Sequence, residues 1–244
     1  MILQGRVALV TGGAVRVGQQ IALALAKRHA HVVITYRSSK PAAQQTVLEL
    51  QHHGVSAEAI QADHSKAADV RKVMARIQER FGQLDVLVNS AAMFERTPFA
   101  SLTEADWDKH LDTNLKRPFL CSLEASRLML RKGGGKIINI ADWAGERPYK
   151  DYLPYCISKA GVIALTKALA KELAPKIQVV AIAPGPILPP PDMSPADRKK
   201  AVARLPLERW GSPQDITNAV LFAVEGTDFI TGTTIYVDGG RSIA

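Results

Sequence analysis

Asp142, Tyr155 and Lys159 are the residues whose types and spacing could do chemistry. A tyrosine and a lysine four apart share one helical face, so the Lys159 ammonium can sit beside the Tyr155 phenol and ease its deprotonation. Tyr155 is therefore a candidate proton donor. Asp142, thirteen residues upstream, supplies a carboxylate that only accepts hydrogen bonds when ionised, which selects for a substrate presenting N–H or O–H donors. Spacing alone is a weak signal, because Tyr36 and Lys40 repeat it. That second pair is set among Ser38, Ser39 and Pro41, and the residue before a proline is pushed away from helical geometry. Around Tyr155 the chain instead continues through Val162, Ile163, Leu165, Leu169 and Leu173 at helical spacings, up to Pro175.

These side chains need a scaffold. With 244 residues, 47% of them hydrophobic and 22% charged, the chain can bury one large core, and no repeat or linker divides residues 1–244. Strand patterns over Val7–Val10, Val32–Tyr36, Ala57–Gln61, Leu84–Val88, Lys136–Ile140, Val179–Ile182 and Thr234–Val237 alternate with helical ones. The helical patterns cover Gln19–His29, Ala42–His53, Ala67–Phe81, a long stretch Ala105–Arg131, the Tyr155 segment, Pro195–Arg204 and Pro213–Val224. Strands joined through helices lie parallel. The predicted fold is thus α/β, a single-domain Rossmann-type doubly wound parallel sheet flanked by helices, with ligands at the strand C-termini.

The net charge of +8 comes from scattered basic residues not interleaved with aromatics, which argues against nucleic acid. No apolar run approaches the ~18 residues of a membrane span, so a soluble, cytoplasmic protein is expected. Cys121 and Cys156 are too few for a disulfide framework and lack metal-ligand spacing. The distribution of charge says more than its sum. Residues 1–48 hold no Asp or Glu but carry Arg6, Arg16, Lys27, Arg28, Arg37 and Lys40, so that end of the protein favours an anion.

The first strand runs into Thr11-Gly12-Gly13-Ala14-Val15-Arg16-Val17-Gly18, a glycine-containing turn opening a helix. Such a turn brings backbone close to a pyrophosphate, whose charge the helix N-terminus favours, so Gly12, Arg16 and Val17 are candidate cofactor contacts. Arg16 puts a guanidinium where a compact glycine would serve. After the second strand, a carboxylate would accept from adenosine ribose hydroxyls and repel a 2′-phosphate, but the segment reads Thr35-Tyr36-Arg37-Ser38. Arg37 and Ser38 point to NADPH.

Together these residues resemble the classical short-chain dehydrogenase/reductase family over essentially the whole chain. Thr11 to Gly18 resembles its cofactor turn, and Tyr155 with Lys159 its active pair. The resemblance implies that Asp63 contacts adenine, that Asn89 and Ala91 line the cofactor after the fourth strand, and that Asn114 holds a proton-relay water. It also implies that Lys159 holds the nicotinamide ribose, that Pro184, Gly185 and Ile187 flank the nicotinamide, that about 184–210 forms a substrate loop, and that the protein is a homotetramer. Arg16, Phe94 and Asp142 are similar to the pteridine reductases within that family. This implies hydride transfer to a C=N bond of a pterin stacked on Phe94, with Arg16, Asp142 and Tyr155 contacting it. Ala92 and Pro189 depart from that subgroup's and the family's usual serine and threonine. The nearest alternative is an NADPH-dependent carbonyl reductase, such as one for 3-oxoacyl thioesters, for which a hydroxyl at position 142 would be expected. A non-catalytic NADPH-sensing protein is a further alternative, set against the intact Tyr155, Lys159 and Asn114.

Overall fold

The computed structural model describes residues 1–189, 193–203 and 205–244. Continuous apolar runs make the central strands, because a parallel sheet is covered on both faces and needs no polar alternation. β1 (Val7–Thr11) and β4 (Val86–Asn89) are buried at every position. They join β2 (His31–Tyr36), β3 (Ala57–Gln61), β5 (Gly135–Ile140), β6 (Ile177–Pro184) and β7 (Thr234–Val237) in one all-parallel sheet, ordered β3-β2-β1-β4-β5-β6-β7. Strand order reverses between β1 and β4, which opens a crevice at their C-terminal ends.

Side chains alternate across the sheet. Ala8 and Val10 pack with α1 (Arg16–Ala26), α2 (Lys40–Gln51) and α8 (Pro213–Leu221), while Val7 and Leu9 pack with α3 (Ala67–Phe81), α5 (Arg117–Arg131) and Ala170 of α6 (Leu153–Leu173). α6 is long and apolar enough to cross a membrane by length and composition, but half of the relevant stretch is buried inside the protein. Tyr36 ends β2 and Lys40 opens α2, so this pair shares no helical face.

The expected long helix over 105–131 is three pieces: α4 (Glu104–Leu111), a π-helical turn (Asp112–Lys116) and α5. Pro118 lacks the N–H that an α-helix would direct at the Asn114 carbonyl four residues back, and the chain loosens there. α7 covers Pro195–Val202, and α8 passes into a second π-helical turn at Phe222–Gly226. Pro190, Pro191 and Arg204, within the expected substrate loop, lie outside the described residues.

Candidate active site

At the crevice the turn after β1 is held against the turn after β4. Thr11 Oγ1 accepts from the Ser90 and Ala91 amides at 3.0 and 3.2 Å. Gly12 has φ 65°, and a Cβ there would lie 2.9 Å from the Ala91 Cα, so this close approach requires glycine. α1 starts without a side-chain cap, leaving its first amides free to face an anion. Arg16 sits at φ 56°, left-handed backbone that an L side chain adopts at a cost of about 1–2 kcal/mol. Its guanidinium is exposed and has no partner among the described residues. If Arg16 has the cofactor role expected from the sequence, Arg16→Gly should raise the melting midpoint by about 1–3 °C while weakening NADPH binding by roughly tenfold. A variant with unchanged affinity in fluorescence titration would remove Arg16 from the cofactor site.

Arg37 and Ser38 are exposed just past β2, in a stretch of sequence without Asp or Glu. Arg37 lines a cavity of about 400 Å³ with Gln61, Asp63, Asp69 and Lys72. Burial opposes the charge of Asp63, but Ser65 and Arg117 outweigh it and hold the carboxyl below its ordinary value. The Ser65 hydroxyl and amide (2.8 and 3.1 Å) and the Arg117 guanidinium (3.1 Å) all reach Oδ1. Arg117 was not among the residues expected here. The ion pair spans 54 positions, and its only sequence signal is a basic residue shortly after Asn114.

Asp142, Tyr155 and Lys159 do converge. The Tyr155 hydroxyl donates to Asp142 Oδ2 at 2.7 Å, and the Ala144 amide donates to Oδ1 at 2.8 Å, capping the short turn Trp143–Gly145. Both oxygens thus accept one hydrogen bond from the protein, and each keeps a second lone pair. Burial raises the Asp142 carboxyl above its ordinary value, against the opposing effects of Tyr155, Ala144 and Lys159. Burial, reinforced by Asp142, also pushes the Tyr155 phenol well up, so the resting phenol keeps its proton. Lys159 has a partner of its own. Its ammonium donates to the Ile140 carbonyl at 2.8 Å and lies 5.9 Å from the Tyr155 ring centre, and burial lowers it to about 8.

Asn114 and Asn89 both have protein partners. The Asn114 side chain exchanges hydrogen bonds with the Met93 amide and carbonyl (2.8 and 2.9 Å) and donates to Ser158 Oγ at 3.1 Å, leaving no amide hydrogen for a relay water. Asn89 Nδ2 donates to Asn139 Oδ1 at 2.8 Å and Ser122 Oγ at 3.1 Å, tying β4 to β5 and α5. Asn89 Oδ1 is buried without a hydrogen-bond partner among the described residues. Ile187 packs its side chain against the core, while Gly185, bonded to the Val237 carbonyl at 3.0 Å, has room only for hydrogen, since a Cβ would lie 2.5 Å from the Asp238 Cα.

Phe94 is beside Tyr155, as expected, in an edge contact at 4.7 Å. One of its faces is covered by Tyr152, stacked at 4.5 Å, and the ring remains 51% exposed. The same loop is fastened further along: the Thr97 amide donates to the Asp151 carbonyl, and Arg96 pairs with the Asp151 carboxylate, both at 2.7 Å. Ala92 is exposed in this loop, and Pro189 follows the half-buried Ile187.

Comparison with known proteins agrees with this fold. The family described as Enoyl-(Acyl carrier protein) reductase matches residues 13–242. The 3-oxoacyl-[acyl-carrier-protein] reductase FabG of Staphylococcus aureus is 39% identical over 96% of each chain. A mutant short-chain dehydrogenase/reductase from Serratia marcescens superposes with a TM-score of 0.92 at 32% identity, over 99% of this chain and 100% of that one. A blue fluorescent protein from a metagenomic library, solved in complex with NADPH, gives 0.90 at 34% identity over 99% of each. The likeness to pteridine reductases drawn from Arg16, Phe94 and Asp142 finds no support in these relatives, and the Staphylococcus aureus protein carries the name of the 3-oxoacyl thioester alternative. The chain belongs to the short-chain dehydrogenase/reductase family of oxidoreductases.

Proposed function

We propose that the protein is an NADPH-dependent reductase acting on the ketone of a 3-oxoacyl thioester. The observation that carries this reading is the Tyr155 hydroxyl held 2.7 Å from Asp142 beside the Phe94 ring of the post-β4 loop, with Lys159 one helical turn on. The name of the Staphylococcus aureus relative supports the substrate class. Backbone of Gly12 to Val17, with Asn89 and Ala91 opposite, would hold the pyrophosphate side of the cofactor. Arg37, Ser38 and Arg16 would hold the 2′-phosphate. Asp63 Oδ2, outside the hydrogen bonds that engage Oδ1, would accept from the adenine amino group. Pro184, Gly185 and Ile187 would flank the nicotinamide, and Lys159 its ribose. When bound, the cofactor supplies the hydride. Tyr155 gives its proton to the ketone oxygen as charge develops there, and Phe94 shields that oxygen from water. Exposed Phe119 and Leu130 on α5 and Leu153 and Ile157 on α6 leave apolar surface for the homotetramer that the family resemblance implies.

An NADPH-oxidation panel tests this reading. Acetoacetyl thioester is expected to be reduced well above dihydropterins, dihydrofolate and quinones, and turnover of dihydropterin alone would overturn it. The pH dependence is also fixed in sign. With Lys159 lowered to about 8, its ammonium is lost as pH rises through that value, so kcat/KM for reduction should fall by about tenfold per unit above it. Lys159→Arg, charged throughout, should move that limb upward.

A further inference from the structure

We propose that Asp142, in its acid form, is the immediate proton source for Tyr155, passing a proton across their 2.7 Å contact as Tyr155 protonates the substrate. This rests on the reading of Tyr155 as donor to a ketone oxygen.

Three observations carry it. Asp142 has no ion pair among the described residues, because the nearby Lys159 ammonium is committed to the Ile140 carbonyl. Apart from the Tyr155 hydroxyl and the Ala144 amide, which donate to it, the groups facing the carboxyl carry no positive charge: Cys156 on α6, and Tyr149, whose hydroxyl oxygen accepts from the Trp143 indole N–H at 2.6 Å. Lys159 is the cation that acts on it, while Arg241 lies over the far Trp143 ring at 5.2 Å. Burial favours the neutral form. The direction of the hydrogen bond gives the third observation its force. While Asp142 is ionised, the Tyr155 hydroxyl must point its hydrogen at the carboxylate, away from any substrate. Once Asp142 carries the proton, the same contact reverses, the carboxyl donates to the phenol oxygen, and the phenol hydrogen is released toward the ketone. An ionised Asp142 would also repel the developing alkoxide.

The step balances. Hydride adds to the ketone carbon, the C=O π pair becomes the pair that takes the Tyr155 proton, and the phenol O–H breaks as the Asp142 proton moves onto Oη. Asp142 is left as carboxylate and recovers a proton from solvent. One hydride and one proton are consumed for each alcohol formed.

Two measurements test it. Infrared difference spectra of ligand-free protein against Asp142→Asn should show a carboxylic-acid carbonyl band that shifts in D2O. This readout needs neither cofactor nor substrate. In the pH profile of acetoacetyl thioester reduction, the unmodified enzyme should show a limb on the acid side of the Lys159 limb, falling about tenfold per unit. Asp142→Ser should lose that limb, keep the one near 8 and bind NADPH unchanged. Absence of the infrared band at every pH at which the protein stays folded overturns the proposal, as does an unaltered acid-side limb in Asp142→Ser. Failure to turn over any thioester would instead defeat the functional reading, while the infrared band still decides the protonation state.

Discussion

Tyr155→Phe is expected to lower turnover by about 10²-fold or more with NADPH affinity intact. The ring survives the change, so the edge contact with Phe94 and the packing over α6 persist, and only the oxygen is lost. That oxygen donates the 2.7 Å hydrogen bond to Asp142 Oδ2. Steady-state NADPH consumption, with fluorescence titration of the cofactor, separates the two quantities. Near-normal turnover would make Arg16, acting through water, a sufficient donor.

Arg37→Asp should reverse cofactor preference, with the ratio of NADH to NADPH dissociation constants falling by at least about 100-fold. The charge-assisted contact it removes contributes about 1.5–3 kcal/mol, and the new carboxylate adds repulsion to a 2′-phosphate while accepting from ribose hydroxyls. The chain around it can bear the change, because Arg37 is exposed and its backbone carbonyl, not its side chain, takes the bond from Gln61 at 2.9 Å. Equal affinities of the unmodified protein for both dinucleotides would defeat the assignment of Arg37 and Ser38.

The scaffold was readable because its rules are local. Buried apolar runs such as Val7–Thr11 can be little other than interior strands, and the glycines after them mark turns with no room for a side chain. Tyr155 and Lys159 were readable for the same reason, since helical periodicity alone places them on one face. What escaped was direction. Residue type says that a carboxylate accepts, but not that Asp142 spends one oxygen on Ala144 and the other on Tyr155. Type likewise says that Asn114 is polar, but not that the loop carrying Met93 folds back onto it. The break in the helix at Asp112–Lys116 had a local cause in Pro118, yet apolar periodicity on both sides concealed it. The Arg117–Asp63 pair depends on sheet order, which no spacing reveals.

The fastening of the post-β4 loop to the turn before α6 has an evolutionary consequence. Phe94 lies on Tyr152, Arg96 grips Asp151, and Thr97 bridges to the same turn, so segments more than fifty residues apart form one mechanical piece, the wall beside the proposed substrate position. A change in one cannot be optimised without the other. Selection for a new substrate must therefore move through paired substitutions, or leave this wall alone and remodel the opposite rim after Pro184. Grafting either segment singly from a relative would import half of a joint.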